Sequence, residues 1–330
     1  MGQTRFATTK HNRIENNGLT QVAIYRLSKR SHETMAMRLT SRAFALLLTT
    51  SQVAQALPVT SKSLTYFGGP VIQNPSVITL FYGNVDKKSK INEFYKFLVK
   101  SPVMDVVSHD YSTPQYAIGY GSFNGSLNIP TSETRVLSDA NDIQPMLLQL
   151  VQSGKIKPTN NTYLALHLGP GISAVNGQTE TCVNVCAYHG AVDVVGVLGN
   201  PVVPYLYYGV IPTFEGACLS GCGDSDTFSN TCAVASHEFV ESVTNPAGSK
   251  AMFYSHPLGW YDSVDASEIG DLCNLQQGRL SDESNTWTIQ KVWSNSYQGC
   301  VSKLPTLKGE SSFNKTSKLG KKTKNSKKSH

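Results

Sequence analysis

Asn230-Thr231-Cys232-Ala233-Val234-Ala235-Ser236-His237-Glu238-Phe239-Val240-Glu241-Ser242-Val243-Thr244-Asn245-Pro246 is the stretch on which the reading of this chain turns. Asn230 or Thr231 is a natural N-cap, and Asn245-Pro246 is a natural stop, because the residue before proline is pushed out of the helical region. The stretch is therefore expected to be a helix from the cap through about Val243. His237 and Glu241 stand four residues apart and share one face, with Glu238 on the neighbouring face. This H-E-x-x-E spacing is like the H-E-x-x-H of zinc hydrolases, with Glu241 in place of the second histidine. In that arrangement the i and i+4 side chains hold the ion, and the glutamate after the first histidine is the base toward its water.

A catalytic zinc takes three protein ligands and keeps one position open. The third ligand is expected downstream, where Trp260-Tyr261-Asp262 and Glu268-Ile269-Gly270-Asp271 offer carboxylates. Glu268 is preferred and Asp271 comes next; His256 and His189 are further candidates. Tyr261 is assigned the stabilisation of a developing oxyanion. One histidine with two carboxylates makes a harder donor set than the usual zinc site, so Ca2+ or Mn2+ also fit. Asp224, Asp226, Asp262 and Asp265 are a separate calcium candidate without EF-hand spacing. The bland reading of the helix is a buried imidazole in a structural polar network.

Working outward, Val77–Tyr82 and Tyr163–Leu168 are buried-strand runs, each closed by glycine. Shorter strands are expected at Tyr116–Tyr120, Thr134–Leu137, Ala191–Leu198 and Tyr205–Ile211. Apolar residues at Ile91, Phe94, Tyr95 and Leu98 predict a helix over Ser89–Val99 capped by Ser89. A second helix is expected over Ile143–Val151, capped by Asp139 or Asn141. Residues 247–302 look loop-rich with short elements. The expected fold is a single α+β domain: a mixed sheet with packed helices, zincin-like, then an irregular, disulfide-containing C-terminal portion.

The 330-residue chain has a formal net charge of +6, but the charge is unevenly placed. Residues 1–56 carry eight Lys/Arg against two acids, and 303–330 carry nine Lys against one acid. The body, 57–302, is left with 12 basic and 20 acidic residues, which argues against a nucleic-acid surface. No G-x-S-x-G, Walker A or G-x-G-x-x-G before a helix occurs, so the usual serine elbow and nucleotide loops are not expected.

Met37–Arg42 followed by apolar Ala43–Leu48 and then Ala54-Gln55-Ala56 has the order of an export signal. The apolar run is about half the roughly 18 residues of a membrane span, so no integral segment is expected in the mature chain. Residues 1–36 are a polar extension upstream of that signal, as an upstream mis-assigned start would produce. The Lys-rich 303–330 is expected to be disordered. All seven cysteines, 182, 186, 218, 222, 232, 273 and 300, follow the proposed cleavage site. Export favours disulfides among them over a zinc site. Cys273 and Cys300 could form one bridge, with Cys232 left as a buried thiol; spacing does not fix the other pairing. Sequons at Asn124, Asn160 and Asn314 are compatible with glycosylation.

Several short motifs, in order, resemble the Exordium or phosphate-induced family of secreted proteins. They are Tyr66-Phe67-Gly68-Gly69-Pro70-Val71, Phe81-Tyr82-Gly83, Cys182–His189, Gly221-Cys222-Gly223, Ser236-His237-Glu238 through Thr244-Asn245-Pro246, Gly259-Trp260-Tyr261-Asp262, Glu268–Cys273, and Val292-Trp293 with Cys300. The resemblance spans about 66–302. It implies secretion to the cell wall or extracellular space and a link with growth responses, and it implies no settled enzymatic activity. The microbial branch of the family, unlike much of the plant branch, keeps the His-Glu pair. Together these readings point to a secreted metallopeptidase-like hydrolase acting on protein or cell-wall polymer. The alternative is a non-catalytic wall-associated protein.

Overall fold

The computed structural model describes residues 62–195, 203–248 and 258–305. The proposed export signal, the Lys-rich tail and His256 lie outside these residues. The fold is mixed α+β, and a five-stranded sheet organises it. Its strands are β2 (Ser76–Tyr82), β3 (Ser122–Ile129), β5 (Thr162–Leu168), β8 (Tyr188–Asp193) and β9 (Tyr205–Ile211), in the order β3-β2-β5-β9-β8. The first four in that order run parallel; β8 joins β9 antiparallel. Every residue of β5 is buried, as expected of a central parallel strand covered on both faces.

Helix α1 (Lys88–Leu98) turns Ile91, Phe94, Tyr95 and Leu98 onto one face of the sheet. Helix α2 (Pro102–Tyr111) follows at once, with proline in its first turn, where the missing N–H costs nothing. The opposite face is covered by α3 (Gln144–Gln152), through Leu147, Leu150 and Val151. Short α4 (Gly216–Gly221) leads into α5 (Thr227–Thr244), whose residues from Asn230 to Thr244 are all buried. Such burial needs cover on both sides. The sheet supplies one side, and the hairpin of β11 (Gln277–Ser281) and β12 (Thr286–Gln290) supplies the other.

The remaining strands are short ties. β1 (Thr65–Tyr66) pairs with β10 (Trp260–Tyr261), and β13 (Val292–Ser294) pairs with β14 (Gly299–Val301). β4 (Val136–Ser138), β6 (Ser173–Asn176) and β7 (Thr179–Glu180) form a small separate sheet. Disulfides join Cys182 to Cys218, Cys186 to Cys222 and Cys273 to Cys300, and Cys232 is a buried free thiol. No helix among the described residues is long and apolar enough to cross a membrane.

Several expectations need correction. Tyr116–Tyr120 is not a strand: Gly119 and Gly121 donate to Gln73 O and Val99 O, outside any ladder. A Cβ at Gly121 would lie 2.2 Å from Pro75 O, so the close approach needs glycine here. Ser89 does not cap α1; Lys87, left-handed at φ 51°, takes that place. The turn before α3 is capped by Ser138, which accepts from Asn141 N. Asp139 is instead buried and accepts from the hydroxyls of Tyr188 and Tyr208 at 2.9 Å. The strand expected at Ala191–Leu198 is displaced to Tyr188–Asp193, and 196–202 lie outside the described residues. Helix α5 starts earlier than expected because Asp226, not Asn230 or Thr231, is its cap.

Candidate metal centre

Asp226 accepts from Phe228 N and Ser229 N at 3.0 and 3.1 Å, which fixes where α5 begins. The helix then carries His237 and Glu241 one turn apart, with His237 Nε2 3.1 Å from Glu241 Oε1. Two backbone groups complete that oxygen: Gly270 N and Asp271 N donate to it at 3.2 and 3.1 Å. Asp271 Oδ1 stands 3.8 Å from His237 Nε2, and its other oxygen accepts from Glu268 N at 3.0 Å. Gly270 is required by this packing, since a Cβ there would lie 2.6 Å from His237 Nδ1 and 2.9 Å from Glu241 Oε1.

The far side of the cluster comes from the sheet. His189, on antiparallel β8, points Nδ1 at Glu238 Oε2 (3.4 Å) and Glu241 Oε2 (3.5 Å), and Nε2 at Glu268 Oε1 (3.6 Å). Glu268 is fixed from behind by Asn245 Nδ2 at 2.8 Å, and Asn245 Oδ1 accepts from Gly259 N. Gln290, on β12, places its amide nitrogen 2.7 Å from His237 Nδ1 and donates to Gly270 O at 2.8 Å. The structure thus brings His237, Glu238, Glu241, Glu268 and Asp271 together, and it adds His189 as a full member.

Within this cluster two groups have the donor types and spacing for an ion: His237 with Glu241 and Asp271, and His189 with Glu241 and Glu268. Glu268 and Asp271, expected as alternatives, therefore belong to different groups. Tyr261 is buried on β10, and its phenol is pushed up by burial and then by Glu268, Asp271 and Glu241. The second calcium candidate is not assembled. Asp226 is a helix cap, Asp262 accepts from Val264 N and Asp265 N, and Asp265 pairs with Lys62 at 3.1 Å.

Electrostatically the cluster holds protons tightly. Burial opposes a charged His237, yet Glu241 and then Glu238 raise it to about 10. His189 is raised well above its usual range, against burial, by Glu268 and then by Glu238 and Glu241. Burial would raise Glu241, but His237 draws it down to about 2. Burial and the Glu241 charge push Asp271 up to about 7, and burial with the same neighbour raises Glu268 well above the carboxylate range.

The donor set fits a divalent cation on three observations. It offers imidazole and carboxylate, the ligands of zinc and manganese. His189 Nε2, Glu238 Oε1 and Glu241 Oε2 are buried and make no hydrogen bond, and buried polar groups are rarely left so. Finally, Gly270 and Gly248 stand where a Cβ would press on His237 and His189, at 2.6 and 3.1 Å.

The sequence reading missed Gln290 and Asn245 as the groups that orient His237 and Glu268. Asn245 was visible only as a helix stop. Gln290 carries no local signal, because its role depends on a hairpin folding back over α5. Comparison with family models, curated proteins and solved structures finds no match to this chain.

Proposed function

We propose that the chain is a secreted protein of the Exordium or phosphate-induced type that uses a divalent cation to hydrolyse peptide-like bonds outside the cell. The observation that carries this reading is that His189 Nε2, Glu238 Oε1 and Glu241 Oε2 are buried without a hydrogen bond in a cluster built on an H-E-x-x-E helix. Three disulfides suit an oxidising compartment. A ligand-bearing helix lying against a mostly parallel sheet with an antiparallel edge strand supports a zincin-like comparison at the level of architecture alone.

His237, Glu241 and Asp271 would hold the ion, with zinc the first choice and manganese or calcium the alternatives. A bound divalent cation would supply Lewis-acid polarisation and a more acidic water. Glu238, fully buried beside this group, is assigned the acceptance of a proton. Tyr261 is assigned hydrogen-bond donation to the oxyanion, since burial and the neighbouring carboxylates favour its protonated phenol. Gln290 keeps the His237 ring in place.

One observation favours a second reading. The side chains of His237, Glu238 and Glu241 are all 0 % exposed, as in a non-catalytic wall protein stabilised by a polar or metal-filled core. Elemental analysis of the secreted protein beside His237→Ala, with a peptide library turned over by wild type and Glu238→Gln, separates the two. The hydrolase reading expects bound metal in both wild type and Glu238→Gln, with turnover in Glu238→Gln down by about 10²-fold or more. Metal without turnover in wild type leaves the structural reading. Absence of metal sinks the centre altogether.

A further inference from the structure

Glu241 faces two ways. Its Oε1 is occupied by His237 Nε2 and by the backbone N–H groups of Gly270 and Asp271. Its Oε2 looks toward His189 at 3.5 Å and has no hydrogen-bond partner. Each oxygen has its own imidazole, and each imidazole has a further carboxylate: Asp271 Oδ1 lies 3.8 Å from His237 Nε2, and Glu268 Oε1 lies 3.6 Å from His189 Nε2. The donor atoms of each trio lie within 4.8 Å of one another.

The outer supports are also doubled. Gln290 sits on the Nδ1 side of His237, opposite the Nε2 that faces Glu241, and Asn245 holds Glu268 in the other trio. Such partners are what fix metal-ligating side chains in orientation.

Geometry decides between one ion and two. The two trios share only Glu241, which presents Oε1 to His237 and Oε2 to His189, so each trio keeps an imidazole and a carboxylate that the other does not use. Two imidazoles and three carboxylates are more donors than a single three-ligand site takes. We infer that this is a two-cation centre bridged by Glu241, with His237 and Asp271 holding one divalent ion and His189 and Glu268 the other. This rests on the proposed reading of the cluster as a metal centre and adds the second ion, for which no H-E-x-x-E pattern asks.

The test is ion stoichiometry on the full secreted protein, dialysed against zinc or manganese and analysed for bound metal. Wild type is expected to hold about two ions per chain, and His189→Ala and His237→Ala about one each. The near-isosteric Glu268→Gln, which spares the packing, should match His189→Ala. Manganese-loaded wild type should show an exchange-coupled electron paramagnetic resonance spectrum, which either single variant turns into that of an isolated ion. One ion per chain in wild type, unchanged by Glu268→Gln and uncoupled, overturns the second site and leaves the proposed single-ion centre standing. No ion in wild type overturns both.

Discussion

At the scale of the residue, Glu241 illustrates how a buried acid is kept ionised. His237 holds it down to about 2 although burial alone would raise it. The cost appears on its neighbours, and it sets a pH dependence. His237, raised from 6.5 to about 10, contributes stability that is complete below about 6.5 and is lost as pH rises through 10. Asp271, raised from 3.8 to about 7, stays protonated longer in the folded chain than in the unfolded one. Its ionisation therefore weakens the fold as pH climbs from about 4 to 7. Glu241 works in the opposite direction, but only below its ordinary 4.5. With chelator present, the protein is accordingly expected to lose stability steadily between pH 5 and 9, read by urea melts at each pH. Added cation must displace the same protons, so its affinity should rise with pH over this window, by about tenfold per unit for each proton released. A metal-free protein that is most stable at pH 9, or an affinity flat in pH, would count against this arrangement.

At the scale of the element, the strands with long apolar runs were the legible ones. β2 and β5 announced themselves because a buried parallel strand is apolar on both faces, and α1 because its four core residues repeat at helical spacing. β3 did not, since its edge position leaves alternate residues exposed and its sequence, Ser122–Ile129, is mostly small and polar. The C-terminal hairpin was equally hidden, because short strands are specified by what they cover. The two bridges beside β8 were foreseen as disulfides but not as a parallel pair, and their pairing has a consequence. Cys182–Cys218 and Cys186–Cys222 each close a separation of 36 residues and tie the lead-in to β8 onto α4. Either one closes nearly the same loop. Removing one pair, as in Cys186→Ala with Cys222→Ala, leaves only a small ring undone and should cost about 2–3 kcal/mol; removing the second should cost about 4 kcal/mol more. Denaturant melts of the single-pair and double-pair variants measure this. Equal, independent losses would mean that the two bridges do not share one loop.

At the scale of the whole molecule, the cluster joins parts that are far apart in sequence. His189 comes from the sheet edge, His237 and Glu241 from the buried helix, and Glu268 and Asp271 from the segment ahead of the C-terminal hairpin, whose Gln290 closes it. This explains what the sequence could and could not tell. The i, i+4 pair was readable because one helix holds both members. The division of Glu268 and Asp271 between two imidazoles was not, because it depends on β8 lying antiparallel at the edge, beside α5. An ion ligated across these elements would act as a cross-link between the sheet, the central helix and the C-terminal portion. Its binding energy would then be folding energy, since no such constellation persists in the unfolded chain. Cation at about 100-fold its dissociation constant should stabilise the protein by about 2.7 kcal/mol, which for a domain of this size is a rise in Tm of about 5–10 °C. Chelator should reverse it. The imidazole in each trio should make zinc or manganese more effective than calcium, which prefers six or more oxygens. A shift produced by calcium alone would move the protein to the class of calcium-stabilised binding modules. A Tm indifferent to all three ions would make the cluster a polar network that holds the helix to the sheet through hydrogen bonds and ion pairs, with Glu238 serving only as a partner for His189.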